Sequence, residues 1–189
     1  MDDKSDSVEM GRNNMAVQIG AKLDSGFSDP IGMLKDCHRR IESFLGILCV
    51  VVGRAQGRAL TSEERSAIQS AIQYFRVGGK RHSADEEESL FPRLRASDID
   101  IEEIDRLEND HREANGLHDS VEQLYSQWIG SGALGSEGTQ QLIADTSRLS
   151  ALYSAHIRVE ETVVFARAAE VLDGKTIAAI GSEFQLRRR

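Results

Sequence analysis

The chain has 189 residues, 40% of them hydrophobic, which suits one domain with a sizeable core and is short for two. A formal charge of −8 argues against non-specific nucleic-acid binding, which needs a cationic surface. Only two prolines and no alternating β-branched runs point to an all-helical protein.

Residues 1–28 are polar, with a short apolar patch at Met15, Ala16, Val17, Ile19 and Leu23, and read as a flexible N-terminal arm. The opening MDDKSDSVEM lacks the apolar core of a signal peptide, and no apolar run approaches the ~20 residues that span a bilayer. Cys37 and Cys49 on one helix stand roughly 18 Å apart, too far for a disulfide, and lone thiols suit a reducing compartment. The expectation is a cytoplasmic protein.

Asp29-Pro30 starts the first helix, with Asp as N-cap and Pro at the first helical position. Ile31, Leu34, His38, Ile41, Leu45, Leu48 and Val52 form its apolar stripe, which ends near Gly53 and Gly57. Thr61-Ser62-Glu63-Glu64 is a capping box opening the second helix. Gly78-Gly79 should weaken or kink it, and Pro92 should end it. Ser97-Asp98 begins the third helix. Ile101, Ile104, Leu107, His111, Asn115, His118, Val121 and Leu124 share one side of it. Residues 130–138, rich in Gly and Ser, read as the longest loop in the body of the chain. The fourth helix runs from about Glu137 to Leu172 and stops at Asp173-Gly174. Residues 176–186 form a short final helix, and Arg187-Arg188-Arg189 reads as a solvated basic tail. The expected architecture is an antiparallel up-down four-helix bundle over residues 29–172, with a short C-terminal helix and tail over 173–189.

The informative feature is an internal repeat. Residues 81–93 read RHSADEEESLFPR and residues 155–167 read AHIRVEETVVFAR. From its histidine, each segment has Glu at +4 (Glu86, Glu160), Glu at +5 (Glu87, Glu161), Phe at +9 (Phe91, Phe165) and Arg at +11 (Arg93, Arg167). The preceding helix of each half carries another histidine, in Asp36-Cys37-His38-Arg39 and Asn109-Asp110-His111-Arg112. The chain is thus two copies of one helical hairpin, offset by 73–74 residues. Residues four apart on a helix share a face, and imidazole beside carboxylate is a usual ligand pair for a first-row transition metal. Two such hairpins bring four imidazoles and two carboxylates into the bundle core, where unpaired carboxylates are costly and a metal pair neutralises them.

The set His38, His82-x3-Glu86, His111, His156-x3-Glu160 resembles the hemerythrin-like (HHE cation-binding) domain family over about residues 29–172. The resemblance implies a four-helix bundle with a non-haem di-iron centre, bridged by Glu86 and Glu160. His38, His82, His111 and His156 would be terminal ligands. Donor type alone equally admits Mn or Zn, so iron rests on the resemblance. Oxygen-carrying members have a further histidine where this chain has Asn115, which puts simple oxygen carriage in doubt. The resemblance instead implies a protein that binds, senses or reacts with O2, peroxide or NO, as an enzyme or not. A store or sensor without turnover and a scaffold with a structural metal are the other readings. Oligomeric state is open.

Around this set stand candidate supporting residues. Asn115 and Tyr153 lie near the ligand face, as hydrogen-bonding groups or as pocket and core residues. Glu42 makes a third HxxxE with His38, and either joins the site or pairs with Arg39 or a neighbouring helix. Glu87 and Glu161 point about 100° off the ligand face. They either bond the outer nitrogens of ligand histidines or lie on a solvated surface.

Overall fold

The computed structural model describes residues 25–97 and 102–189. Most of the expected N-terminal arm, together with Asp98 and Ile101 of the expected third-helix start, lies outside the described residues.

Helix α1 spans Pro30–Ala55, and the Asp29 side chain accepts from Gly32 N at 2.9 Å, with Pro30 at the first helical position. Gln56 closes it in the left-handed region at φ 46°, followed by Gly57 at φ 78°. Helix α2, Ser62–Tyr74, opens on the Thr61/Glu64 capping box, with both reciprocal bonds made. It leads without interruption through a π-helical turn at Phe75–Gly79 into α3, Lys80–Asp85. The glycine pair therefore falls inside a widened turn and does not break the helix.

A second π turn, Glu86–Leu90, joins α3 to α4, Phe91–Arg95, so the expected stop at Pro92 is corrected. Proline normally breaks a helix because it lacks an N–H and its ring clashes with a carbonyl one turn back. The π turn widens the backbone just before Pro92, with Phe91 N–H bonded to the Glu86 carbonyl. The ring is accommodated there, and the helix runs one turn further. Ser97 then caps that end by donating to Leu94 O at 2.6 Å, so it closes α4 and does not open the next helix.

Helix α5 covers Glu103–Ser131 and α6 covers Ser136–Val159. The expected loop at 130–138 shrinks accordingly, since Gly130 is the penultimate residue of α5 and Gly138 lies in the first turn of α6. Gly132, at φ 79°, supplies the left-handed C-cap, its N–H bonded to Trp128 O at 3.0 Å. A third π turn, Glu160–Val164, links α6 to α7, Phe165–Val171. Helix α8, Gly174–Leu186, is capped by Asp173, which accepts from Thr176 N at 2.8 Å.

Helix α1 packs against α2 and α6, and α5 packs against α6 and α2. That closes the antiparallel four-helix ring, which contains no strand among the described residues. Two apolar clusters fill it. One is built around Ile41, Leu48, Ile68, Tyr125, Trp128 and Leu149, the other around Leu34, Leu90, Phe91, Leu107, Phe165 and Phe184. Between them lies a thin polar layer. On α1 the sequence passes from Leu34 in one cluster through His38 to Ile41 in the other, and on α5 from Leu107 through His111 to Ala114.

Helix α8 covers one end of the bundle. It lies against α1 and the Glu86–Leu90 turn, seating Ile180 and Phe184 in the second apolar cluster. Gly181 packs so closely on the chain before α1 that a Cβ there would stand 1.8 Å from the Phe27 carbonyl oxygen. Gly181→Ala is expected to lift α8 from this seat and destabilise the protein by a few kcal/mol, read as a lower urea midpoint. An unchanged midpoint would contradict this packing.

The C-terminal arginines depart from expectation. Arg187 Nη1 donates to Asp85 Oδ1 at 2.9 Å, and Arg188 also pairs with Asp85, whose side chain is fully buried. Arg187 further reaches Ser89 Oγ at 2.7 Å and Glu88 at 3.0 Å. Arg187 and Arg188 are therefore docked, because the fold carries an otherwise isolated buried carboxylate within their reach.

Candidate metal centre

The polar layer holds His38 from α1, His82 from α3, Glu86 at the start of its π turn, His111 from α5, His156 from α6 and Glu160 at the start of its own π turn. All six are buried, and both glutamates are 0% exposed. Their donor atoms form two groups: His38, His82, Glu86 and Glu160, and Glu86, His111, His156 and Glu160. Within each group the ligand atoms lie within 4.8 Å of one another. Both glutamates belong to both groups.

The distances show how one carboxylate serves two groups. Glu86 turns Oε1 toward His82 Nε2 (3.4 Å) and His38 Nε2 (3.9 Å), and Oε2 toward His111 Nε2 (3.4 Å). Glu160 turns Oε2 toward His38 Nε2 (3.0 Å) and Oε1 toward His156 Nε2 (3.2 Å). These are ion-pair approaches without aligned hydrogen bonds. The four Nε2 atoms and four carboxylate oxygens are all buried without a hydrogen-bond partner. Buried polar groups are nearly always satisfied, so such a concentration of orphaned donor atoms fits cations held between them. Nitrogen and oxygen donors without thiolate suit a first-row transition metal.

Electrostatics agree. Burial lowers the His38 pKa, but the close Glu160 and Glu86 carboxylates outweigh it and push it up to about 10. His111 follows the same pattern, burial opposed by Glu86, and rises to about 9. Burial of Glu86 favours its neutral form, yet His82, His111 and His38 hold its carboxyl well below the usual range. His82 is dominated by burial and falls to about 4. Without a cation, protons on the imidazoles balance the two carboxylates.

The π turns explain residues whose partners the sequence left open. Glu161 lies within 2.9 Å of His38 Nδ1, and Glu87 within 2.7 Å of His111 Nδ1. Phe165 stacks on His38 with ring centroids 5.5 Å apart and planes 9° from parallel, and Phe91 stacks on His111 at 6.4 Å and 9°. Each hairpin's Glu-Glu…Phe segment thus braces the lone histidine of the other hairpin. In each π turn the Phe N–H bonds the carbonyl of the Glu five residues before it. Such turns recur at functional sites. Asp110, not singled out in the sequence, approaches His156 Nδ1 at 3.4 Å.

Other candidates are placed differently. Glu42 is exposed and belongs to neither donor group, while Arg39 pairs with Asp36. Ala114 takes the buried position on α5, and Asn115 lies exposed on the wall of a cleft that also includes His111, His118, Tyr153, Phe75 and Lys80. Tyr153 is buried with its ring 6.3 Å from that of His156, and its hydroxyl lies 3.1 Å from His118 Nε2. Burial raises the Tyr153 pKa, so the phenol keeps its proton. Burial pushes the Cys37 thiol up to about 11, and both cysteines are free.

Burial lowers the His118 pKa from 6.5 to about 4. The unfolded chain then binds the proton first. Stability should fall as pH drops from 6.5 toward 4, by about 3 kcal/mol at most from this residue. His118→Asn should show a smaller difference between urea unfolding free energies measured near neutral pH and near the lower value; an unchanged difference would contradict the assignment.

No helix among the described residues is long and apolar enough to cross a membrane. No curated protein matches the chain. A family model described as the hemerythrin HHE cation binding domain matches residues 29–168, a span that contains all six residues of the two donor groups. The chain belongs to the hemerythrin HHE cation-binding domain family.

Proposed function

We propose that this protein is a non-haem di-iron protein that binds, senses or reacts with a small oxidant: O2, peroxide or NO. The carrying observation is the pair of buried donor groups that share both carboxylates. In this reading Glu86 and Glu160 would be shared by two ions, one held also by His38 and His82 and the other also by His111 and His156. Bound iron would supply Lewis-acid and one-electron redox chemistry toward such a ligand.

The chain's own residues do the rest. Two imidazoles and two carboxylate oxygens per ion are four protein donors, which leaves room for a small exogenous ligand. The apolar clusters on either side exclude bulk water. Glu161, Glu87 and Asp110 fix the rings of His38, His111 and His156. The cleft past Asn115 is the route by which a small molecule reaches the His111 side. On its wall the Tyr153 hydroxyl and His118 Nε2 lie 3.1 Å apart and give the cleft a polar lining.

The reading is tested by exposing the iron-loaded chain separately to O2, peroxide and NO. A reversible optical band on adding and removing gas supports binding or sensing. Disappearance of peroxide or NO over many turnovers per site supports an enzyme. Spectra unchanged by all three would overturn the proposal.

A further inference from the structure

Three of the four cluster imidazoles meet a carboxylate at the outer nitrogen: His38 meets Glu161, His111 meets Glu87 and His156 meets Asp110. His82 is the exception, because its Nδ1 is buried with no hydrogen-bond partner. The nearby carboxylate of Asp85 is engaged by Arg187 and Arg188 instead.

The internal repeat locates what is missing. His38 corresponds to His111 and His82 to His156, so Asp110, just before His111, corresponds to Cys37, just before His38. The second hairpin places a carboxylate at this position of its first helix, and the first hairpin places a half-buried thiol, a weak hydrogen-bonding group. An imidazole that coordinates through Nε2 carries its proton on Nδ1. An acceptor there orients the ring and raises its basicity. His82 has no such acceptor. Because Glu86 and Glu160 are common to both donor groups, they do not create the difference.

We propose that the two cation positions are unequal, the one framed by His111 and His156 filling first, and that residue 37 sets the difference. This rests on the two-ion reading above. Loss of an outer-nitrogen partner typically weakens metal affinity by roughly 10–100-fold, and the gap between the two positions should be of that order.

The test is an anaerobic titration of the metal-free full chain with Fe(II), and separately with Zn(II), against a chromophoric chelator. The wild type should bind in two steps roughly 10–100-fold apart. Cys37→Asp should strengthen the weaker step and narrow the gap, and Asp110→Ala should weaken the tighter one. If Cys37→Asp loses helical content, Cys37→Asn supplies a neutral acceptor for the same comparison. Two equal steps in the wild type would overturn the inference and leave the two-ion reading standing. So would a folded residue-37 variant with both steps unmoved, or an Asp110→Ala that weakens the second step. Binding of no ion at all would overturn both.

Discussion

Glu86→Ala combined with Glu160→Ala is expected to abolish binding of two ions. Each carboxylate turns one oxygen to each donor group, so each substitution removes a donor from both positions at once. The doubly substituted layer keeps only two imidazoles per position. Affinity should fall by more than the roughly 10–100-fold that the loss of an outer partner costs. Stability should move the other way in a closely matched variant. Glu86→Gln with Glu160→Gln keeps the shape but removes two buried charges whose cost is offset, in the metal-free chain, only by protons on the histidines. The metal-free Gln variant should therefore be at least as stable as the metal-free wild type while binding poorly. Chelator competition and urea denaturation on the same samples read both quantities. Retention of two ions by the alanine variant would remove the glutamates from the site.

The second large effect lies at the C-terminus. Arg187→Ala with Arg188→Ala leaves the fully buried Asp85 carboxylate without its two cationic partners. Burial raises the Asp85 pKa, and hydrogen bonds and charge from Arg188 and Arg187 oppose that rise. Breaking a buried ion pair from one side typically costs about 3–5 kcal/mol. In a chain of this size that lowers the melting temperature by roughly 6–20 °C, nearer the small end because the arginines are partly exposed. Adding Asp85→Asn to the double variant should recover much of the loss, since no unpaired charge then remains. A double variant that melts with the wild type would show the pairing to be energetically idle. Asp85 immediately precedes Glu86, so the same variant should also loosen the turn that carries a carboxylate common to both donor groups.

The six-residue set was legible because it repeats. A histidine and glutamate four apart mean little alone, but the same spacing in both hairpins, each preceded by a histidine, has one economical explanation. Helix starts were legible for a local reason: the Asp29 cap and the Thr61/Glu64 box are completed within four residues. What stayed hidden depends on geometry that a regular helical period misplaces. Projection at about 100° per residue turns Glu87 and Glu161 away from the ligand face. The widened turns at Glu86 and Glu160 instead let them reach the opposite hairpin's histidine. The same turns carry the helix past Pro92. The signal was present as matched Glu at +5 and Phe at +9 in both halves. Asn115 is placed by packing: on α5 the smaller Ala114 takes the buried position and leaves Asn115 on the cleft wall, the pocket position that was one of its two readings. The partnership of Arg187 and Arg188 with Asp85 joins residues about a hundred positions apart, beyond any local pattern.

The most direct test of the account is the metal content of the full chain, loaded anaerobically with Fe(II), freed of excess metal and assayed for every first-row ion. Two buried donor groups sharing two carboxylates predict about two irons per chain, both lost when Glu86 and Glu160 are replaced. One ion or none per chain, or tight uptake of zinc with refusal of iron, would contradict it.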